Sequence, residues 1–167
     1  MTSKRAVLSF PSDTEILITR TFDAPKHLVY RAWTTPELIK QWWSGLRGTM
    51  TAVEVDLRVG GKWRYAMTAS AGLELVFHGE YQEIVADERV VATELLDMPG
   101  MEPVPAGHEP VSAVSFDETD GKTTVRILTA TKSKEMRDTI ANSGMEDGMQ
   151  EQMVRLEELL TSDEVRV

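Results

Sequence analysis

The strongest constraint in this sequence is an apolar stripe near its C-terminus. Met145, Met149, Met153, Leu156 and Leu160 recur every three or four positions, while Glu146, Gln150, Glu151, Glu157 and Glu158 fill much of the opposite side. That periodicity predicts one long helix, from Ser133 to Leu160, whose single apolar face needs a large partner surface. A run of alternating strands upstream supplies it. Three unbranched, polarizable Met side chains suit an adaptable surface such as a cavity wall, and they equally suit gap filling in an ordinary core.

A chain of 167 residues can bury a core as one domain. Cysteine is absent, which excludes disulfides, thiol nucleophiles and cysteine metal sites. The N-terminal MTSKRAVLSFPSD is basic without the apolar run of a signal peptide, and no segment approaches the roughly eighteen apolar residues of a membrane span. A cytoplasmic protein without membrane insertion is the expectation. The formal net charge of -9 disfavours nucleic acid and anionic membrane as partners, and Lys132, Lys134 and Arg137 are interspersed with Glu135 and Asp138 rather than forming a basic patch. His27, His78 and His108 are too scattered for a local metal motif, so neither metal nor cofactor is expected.

Residues 1–13 read as an N-terminal extension, 14–161 as one domain and 162–167 as a tail. A strand over Glu15 to Phe22 precedes a helix opened by Pro25, and a short helix follows with Thr35 as N-cap and Pro36 in its first turn. Trp42 and Trp43 are adjacent and so point about 100° apart on that helix. One can close the core while the other lines an opening, or both can be core. Gly60-Gly61 leads into a strand carrying Trp63, Tyr65 and Met67 on one face. The strand LELVFHGEYQEIV alternates Phe77, Gly79 and Tyr81 with Val76, His78 and Glu80, and Gly79 predicts a bend in its middle. A strand over Val90 to Leu96 follows. The Pro-rich stretch from Met98 to Pro110 is a flap or decoration, and a hairpin turns at Asp120-Gly121. The order of strand, two helices, about six strands and a long helix predicts an α+β fold, with a curved antiparallel sheet wrapped around the final helix.

No nucleophile elbow, phosphate loop, dinucleotide fingerprint or zinc spacing is present. His78 with Glu80 is the pair that could move protons if its strand face lines a cavity; if the other face does, Tyr81 becomes the polar handle. Arg64 and Arg126 are surface charges or, if inward, anchors for a ligand carboxylate. Glu54, Asp56, Glu94 and Glu118 read as edge or outer-face residues.

The segments FDAPKHLVYRAWTTPELIKQWW, VDLRVGGKWRYAM, FHGEYQEIVADERVVATELL and GMEDGMQEQMVRLEELL, in that order, resemble the homologues of the ATPase activator of the ninety-kilodalton heat-shock chaperone, within the START-like superfamily. The resemblance spans roughly residues 14–161. It implies a helix-grip fold with a cavity between sheet and C-terminal helix, in a superfamily of lipid, hormone and polyketide binders with some cyclases and hydrolases. The eukaryotic cochaperones place this domain beside a separate one that supplies much of the chaperone contact. This chain has Gly144-Met145 where relatives often have Gly-Trp, and Gly148 adds a second glycine that suggests a kink or a close approach.

The leading expectation is noncatalytic binding of a small hydrophobic or amphipathic molecule. Its lining would come from Trp42, Trp43, Trp63, Tyr65, Met67, Phe77, Tyr81, Met145, Met149 and Met153. A cochaperone-like, stress-related protein contact is the second expectation. A cyclase or hydrolase using His78, Glu80 or Tyr81 is the third. Either a monomer or a homodimer is compatible with the sequence.

Overall fold

The computed structural model describes residues 5–166. Its order is β1 (Val7–Ser9), β2 (Glu15–Phe22), α1 (Lys26–Thr34), α2 (Pro36–Trp42), β3 (Gly48–Val55), β4 (Lys62–Ala69), β5 (Glu74–Val85), β6 (Arg89–Thr93), β7 (Leu95–Asp97), β8 (Val111–Thr119), β9 (Lys122–Ala130), α3 (Lys134–Ala141) and α4 (Met145–Leu160). The strands run β1-β2-β9-β8-β6-β5-β4-β3, with β7 also paired to β5, and every pairing is antiparallel. This is the expected α+β helix-grip architecture, with nine strands rather than about six. The added count comes from β1 and from the break at Glu94 that divides the expected Val90 to Leu96 strand into β6 and β7.

The bend expected at Gly79 is where β5 changes partners. Residues 81–85 pair with β6 and residues 76–78 with β7. A Cβ on Gly79 would sit 1.8 Å from the Thr93 carbonyl oxygen and 2.7 Å from the Trp63 indole nitrogen, so no other residue fits without moving backbone. The curvature makes an inner face for α4. Ile16, Ile18, Arg20 and Phe22 of β2 point inward, each buried, as their alternation predicts.

The long C-terminal helix is two helices. Ser133 caps α3 by accepting the Met136 N–H at 3.1 Å, and α3 ends before Gly144, whose φ of 85° is left-handed and cannot continue a right-handed helix. Gly148 lies inside α4, and a Cβ there would meet nothing within 4 Å, so a close approach does not explain it.

Both flanking segments join the domain. The Ala6 N–H donates to Gln150 Oε1 at 3.1 Å and Gln150 Nε2 donates back to the Ala6 carbonyl at 2.9 Å, which ties the start of β1 to α4. Val165, in a short 3-10 turn, is fully buried and belongs to the core. Residues 1–4 and 167 lie outside the described residues. No helix among the described residues is long and apolar enough to cross a membrane.

Two glycine substitutions separate backbone need from propensity. Gly79→Ala is expected to lower folding stability by about 2 kcal/mol or more through overpacking against Thr93. Gly148→Ala is expected to raise it by up to about 1 kcal/mol, because alanine favours helix and meets no neighbour. Urea unfolding of the two variants checks both signs.

Candidate functional site between the sheet and the C-terminal helix

Cross-strand register decides which side chains face α4. Val53, Tyr65 and Phe77 form one row across β3, β4 and β5, and Trp63 pairs with Gly79 in the next inward row. Trp63, Tyr65, Tyr81, Met149 and Met153 are buried in one core cluster, with Trp43, Phe77 and Met145 partly buried against it. Met67 is buried at 5% exposure but stands outside that cluster, so it is sheet core rather than part of the grip.

Aromatic rings fill the space between α2 and the sheet. The Trp43 ring lies 4.9 Å from Tyr65 and 6.0 Å from Phe77, and Trp63 lies 4.7 Å from Tyr65, all at steep interplanar angles. Trp42 and Trp43 divide their roles as adjacency suggested. Trp42 is 1% exposed and its indole N–H donates to the Ala32 carbonyl at 3.0 Å, whereas Trp43 stays half-buried. Gln152 of α4 donates to the Trp43 carbonyl and holds the α2 end against the helix.

The alternation also places a polar group inward that sequence reasoning put at the edge. Val90 and Ala92 are inward and buried, and Glu94 and Leu96 continue the same parity through the break, Leu96 pairing with inward Phe77. Ser112, opposite Ala92, donates to Glu94 Oε2 at 3.5 Å and lies 3.1 Å from the Thr129 hydroxyl. Burial pushes the Glu94 carboxyl above its ordinary 4.5, opposed only by the Ser112 hydrogen bond. Burial is also the main force raising both tyrosines: Tyr65 goes well above 10.0, with smaller contributions from Tyr81 and Glu94, and Tyr81 rises to about 12 although its interaction with Tyr65 opposes the shift. Two neutral phenols and one carboxyl therefore share an otherwise apolar wall. The signal for Glu94 was strand parity carried past Ala92.

The expected proton-transfer pair is corrected. His78 pairs with Arg64 across β4 and with Leu95 across β7, on the face away from α4, and Glu80 is exposed there. Asp97 Oδ2 lies 2.9 Å from His78 Nε2, but out of hydrogen-bonding alignment. Tyr81, on the opposite face, is not brought together with them. Arg64 is exposed on the outer side and exposed Arg126 pairs with Asp117 at 2.9 Å, so neither anchors an inward ligand. One recess of about 340 Å³ lies on this outer face, lined by Glu54, Lys62, Arg64, His78 and Asp97 among others. A second, of about 650 Å³, lies beside α3 against Lys134, Glu135 and Asp138. Under α4, where a cavity was expected, the Trp43 ring packs on those of Tyr65 and Phe77. Among the described residues no cluster of His, Asp and Glu has the arrangement of a metal site.

A curved sheet gripping one helix, with an aromatic and polar inner wall, defines a START-like domain. The chain matches the family described as Activator of Hsp90 ATPase homolog 1-like protein over residues 23–161, and it belongs to that family. Among solved structures, a protein from Rhodobacter sphaeroides shares 23% identity over 93% of this chain and 97% of its own, with a TM-score of 0.83. Protein Ms6760 from Mycobacterium smegmatis shares 21% over 94% and 98%, with a TM-score of 0.82. A protein from Staphylococcus epidermidis shares 26% over 92% and 93%, with a TM-score of 0.76. No curated protein matches the chain.

The adjacent tryptophans and Glu94 each give a stability test. Trp42→Ala is expected to cost about 3–5 kcal/mol, as for emptying a sealed core position, and Trp43→Ala about 1–2 kcal/mol. For Glu94 the folded chain holds its proton more tightly than the unfolded chain, so stability falls as pH rises from the unfolded value through the folded one. Glu94→Gln should therefore be more stable than the parent at neutral pH, with the gain fading below about pH 4. Thermal melts at both pH values read the effect.

Proposed function

We propose that this protein binds a small hydrophobic or amphipathic molecule between the inner sheet face and α4, without transforming it. The observation that carries the reading is the half-buried set Trp43, Phe77 and Met145 packed against the cluster that buries Tyr65 and Tyr81, with half-buried Glu94 on the same inner face. Apolar surface left partly wet above a few convergent polar groups is the composition of a small-molecule site. Trp43 and Phe77 meet edge to face and are the rings a ligand would part on entry. The noncatalytic form of the reading is supported by the placement of His78 and Glu80 on the far side of the sheet. The family description, which names an activator of a chaperone ATPase, favours a protein contact as the second reading.

Native mass spectrometry of gently purified protein, followed by release of any retained mass, tests the first reading. A stoichiometric small molecule, weakened about tenfold or more by Trp43→Ala, is the expected result. A ligand-free mass, together with chaperone captured from extract, would favour the second. A ligand retained equally by Trp43→Ala would move the site away from the grip.

A further inference from the structure

Resting on the binding reading above, we infer that the grip selects an apolar ligand with a basic nitrogen at its inward end, an amine whose ammonium is received by Glu94. The first support is how little of the Glu94 carboxyl the protein itself engages. An ionised carboxylate accepts at two oxygens in about four directions. Glu94 receives one long bond, from the Ser112 hydroxyl at 3.5 Å, and its Oε1 has no partner among the described residues without being sealed from solvent. Ser112 cannot give more, because its hydroxyl has one hydrogen, and with that on Glu94 it accepts from Thr129.

The second support is that no cation among the described residues pairs with Glu94. No ion pair among the described residues involves Glu94. Arg20, the buried cation of the inner face, is held by Glu157 at 2.9 Å and stacks over Phe22 at 4.4 Å. Arg64 and Arg126 are on the outer face. The neighbouring donor, the Trp63 indole N–H, is used on the Thr93 carbonyl at 3.2 Å. A half-buried carboxyl on an apolar wall, with no counter-charge among the described residues, gains from a ligand that carries one.

The third support is the wall itself. Trp43, Trp63, Tyr65 and Phe77 present rings whose faces attract cations, and the phenols of Tyr65 and Tyr81 remain neutral acceptors. An ammonium matches all three features with its three donors. A carboxylate ligand would be repelled by Glu94 and find no cation, and an alcohol would satisfy a hydrogen bond while leaving the charge unmatched.

Three probes of one shape separate these cases: 2-(1-naphthyl)ethylamine, 2-(1-naphthyl)ethanol and 1-naphthylacetate. Titration calorimetry should show the amine binding at least about tenfold more tightly than the alcohol, with proton release at mildly acidic pH as Glu94 ionises against it. The Trp43 and Trp63 indole N–H signals should shift on binding. Glu94→Gln, its fold checked by near-ultraviolet circular dichroism, should lose the amine preference and the proton release. Equal affinity for amine and alcohol, or an amine preference retained in Glu94→Gln, would overturn the inference and leave the binding reading standing. Failure of all three probes to shift the indole signals would count against the grip as a binding site, and the inference would fall with it.

Discussion

At Gly79 two backbones come closer than a side chain allows. With no Cβ there, the Thr93 carbonyl can lie against β5 and accept the Trp63 indole N–H from the neighbouring strand. The consequence is a change of partner within one continuous strand, from β6 to β7, and so a sheet that curves instead of running flat. Everything that faces α4 is positioned by that curvature. Trp63 and Tyr65 lean in on one side of the bend, and Tyr81 does so on the other. The break after Thr93 that accompanies the bend is also what leaves Glu94 outside a regular ladder, with its carboxyl turned inward.

Across the inner face, α4 is fixed by more than its apolar stripe. Met149, Met153, Leu156, Leu159 and Leu160 are buried in the core cluster. The polar residues around that stripe each hold a different part of the chain: Gln150 the start of β1, Glu151 the Arg47 side chain and the Leu46 N–H, Gln152 the end of α2, and Glu157 the buried Arg20. Nonspecific burial would let a Met-rich helix rotate or slide. Directional bonds on several sides give it one seat. Residues expected simply to form the solvated side of an amphipathic helix thus include several of its clamps.

Sequence periodicity was enough to recover the main architecture because strands of period two and a helix of period near 3.6 leave different traces. Alternation put Ile16 with Ile18, and Trp63 with Tyr65, on shared strand faces, and adjacency gave Trp42 and Trp43 different directions. What alternation could not decide was which face of β5 meets the helix, since Val76, His78 and Glu80 alternate as regularly as Phe77, Gly79 and Tyr81. Only pairing with β4 resolves it, by putting Arg64 beside His78 and Phe77 beside Tyr65. Glu94 was misplaced for a related reason. A charged residue late in a strand is ordinarily at an edge, and its inward direction depends on parity persisting through an irregular position. The split between α3 and α4 depended on the left-handed conformation of Gly144, whereas the glycine at 148 looked the same in sequence and stays helical.

The two ends of the grip are built to different standards, and that difference bears on access. Towards α1 the contacts close on one another: Tyr30 and Trp33 both meet Phe116 edge to face, Trp33 stacks at 4.7 Å on Trp42, and Phe116 is fully buried. Towards the start of α4 the corresponding residues, Trp43, Phe77 and Met145, are each left partly exposed, and Gly148 on the same helix adds no side chain. A helix that needed only to be stable would gain from a larger residue at both Met145 and Gly148, because apolar area is uncovered at one and space is open at the other. Instead α4 carries a flexible side chain at Met145 and none at Gly148. The rigid end supplies the register that holds Tyr65 and Tyr81 in place, and in the binding reading proposed above the loose end would be the way in.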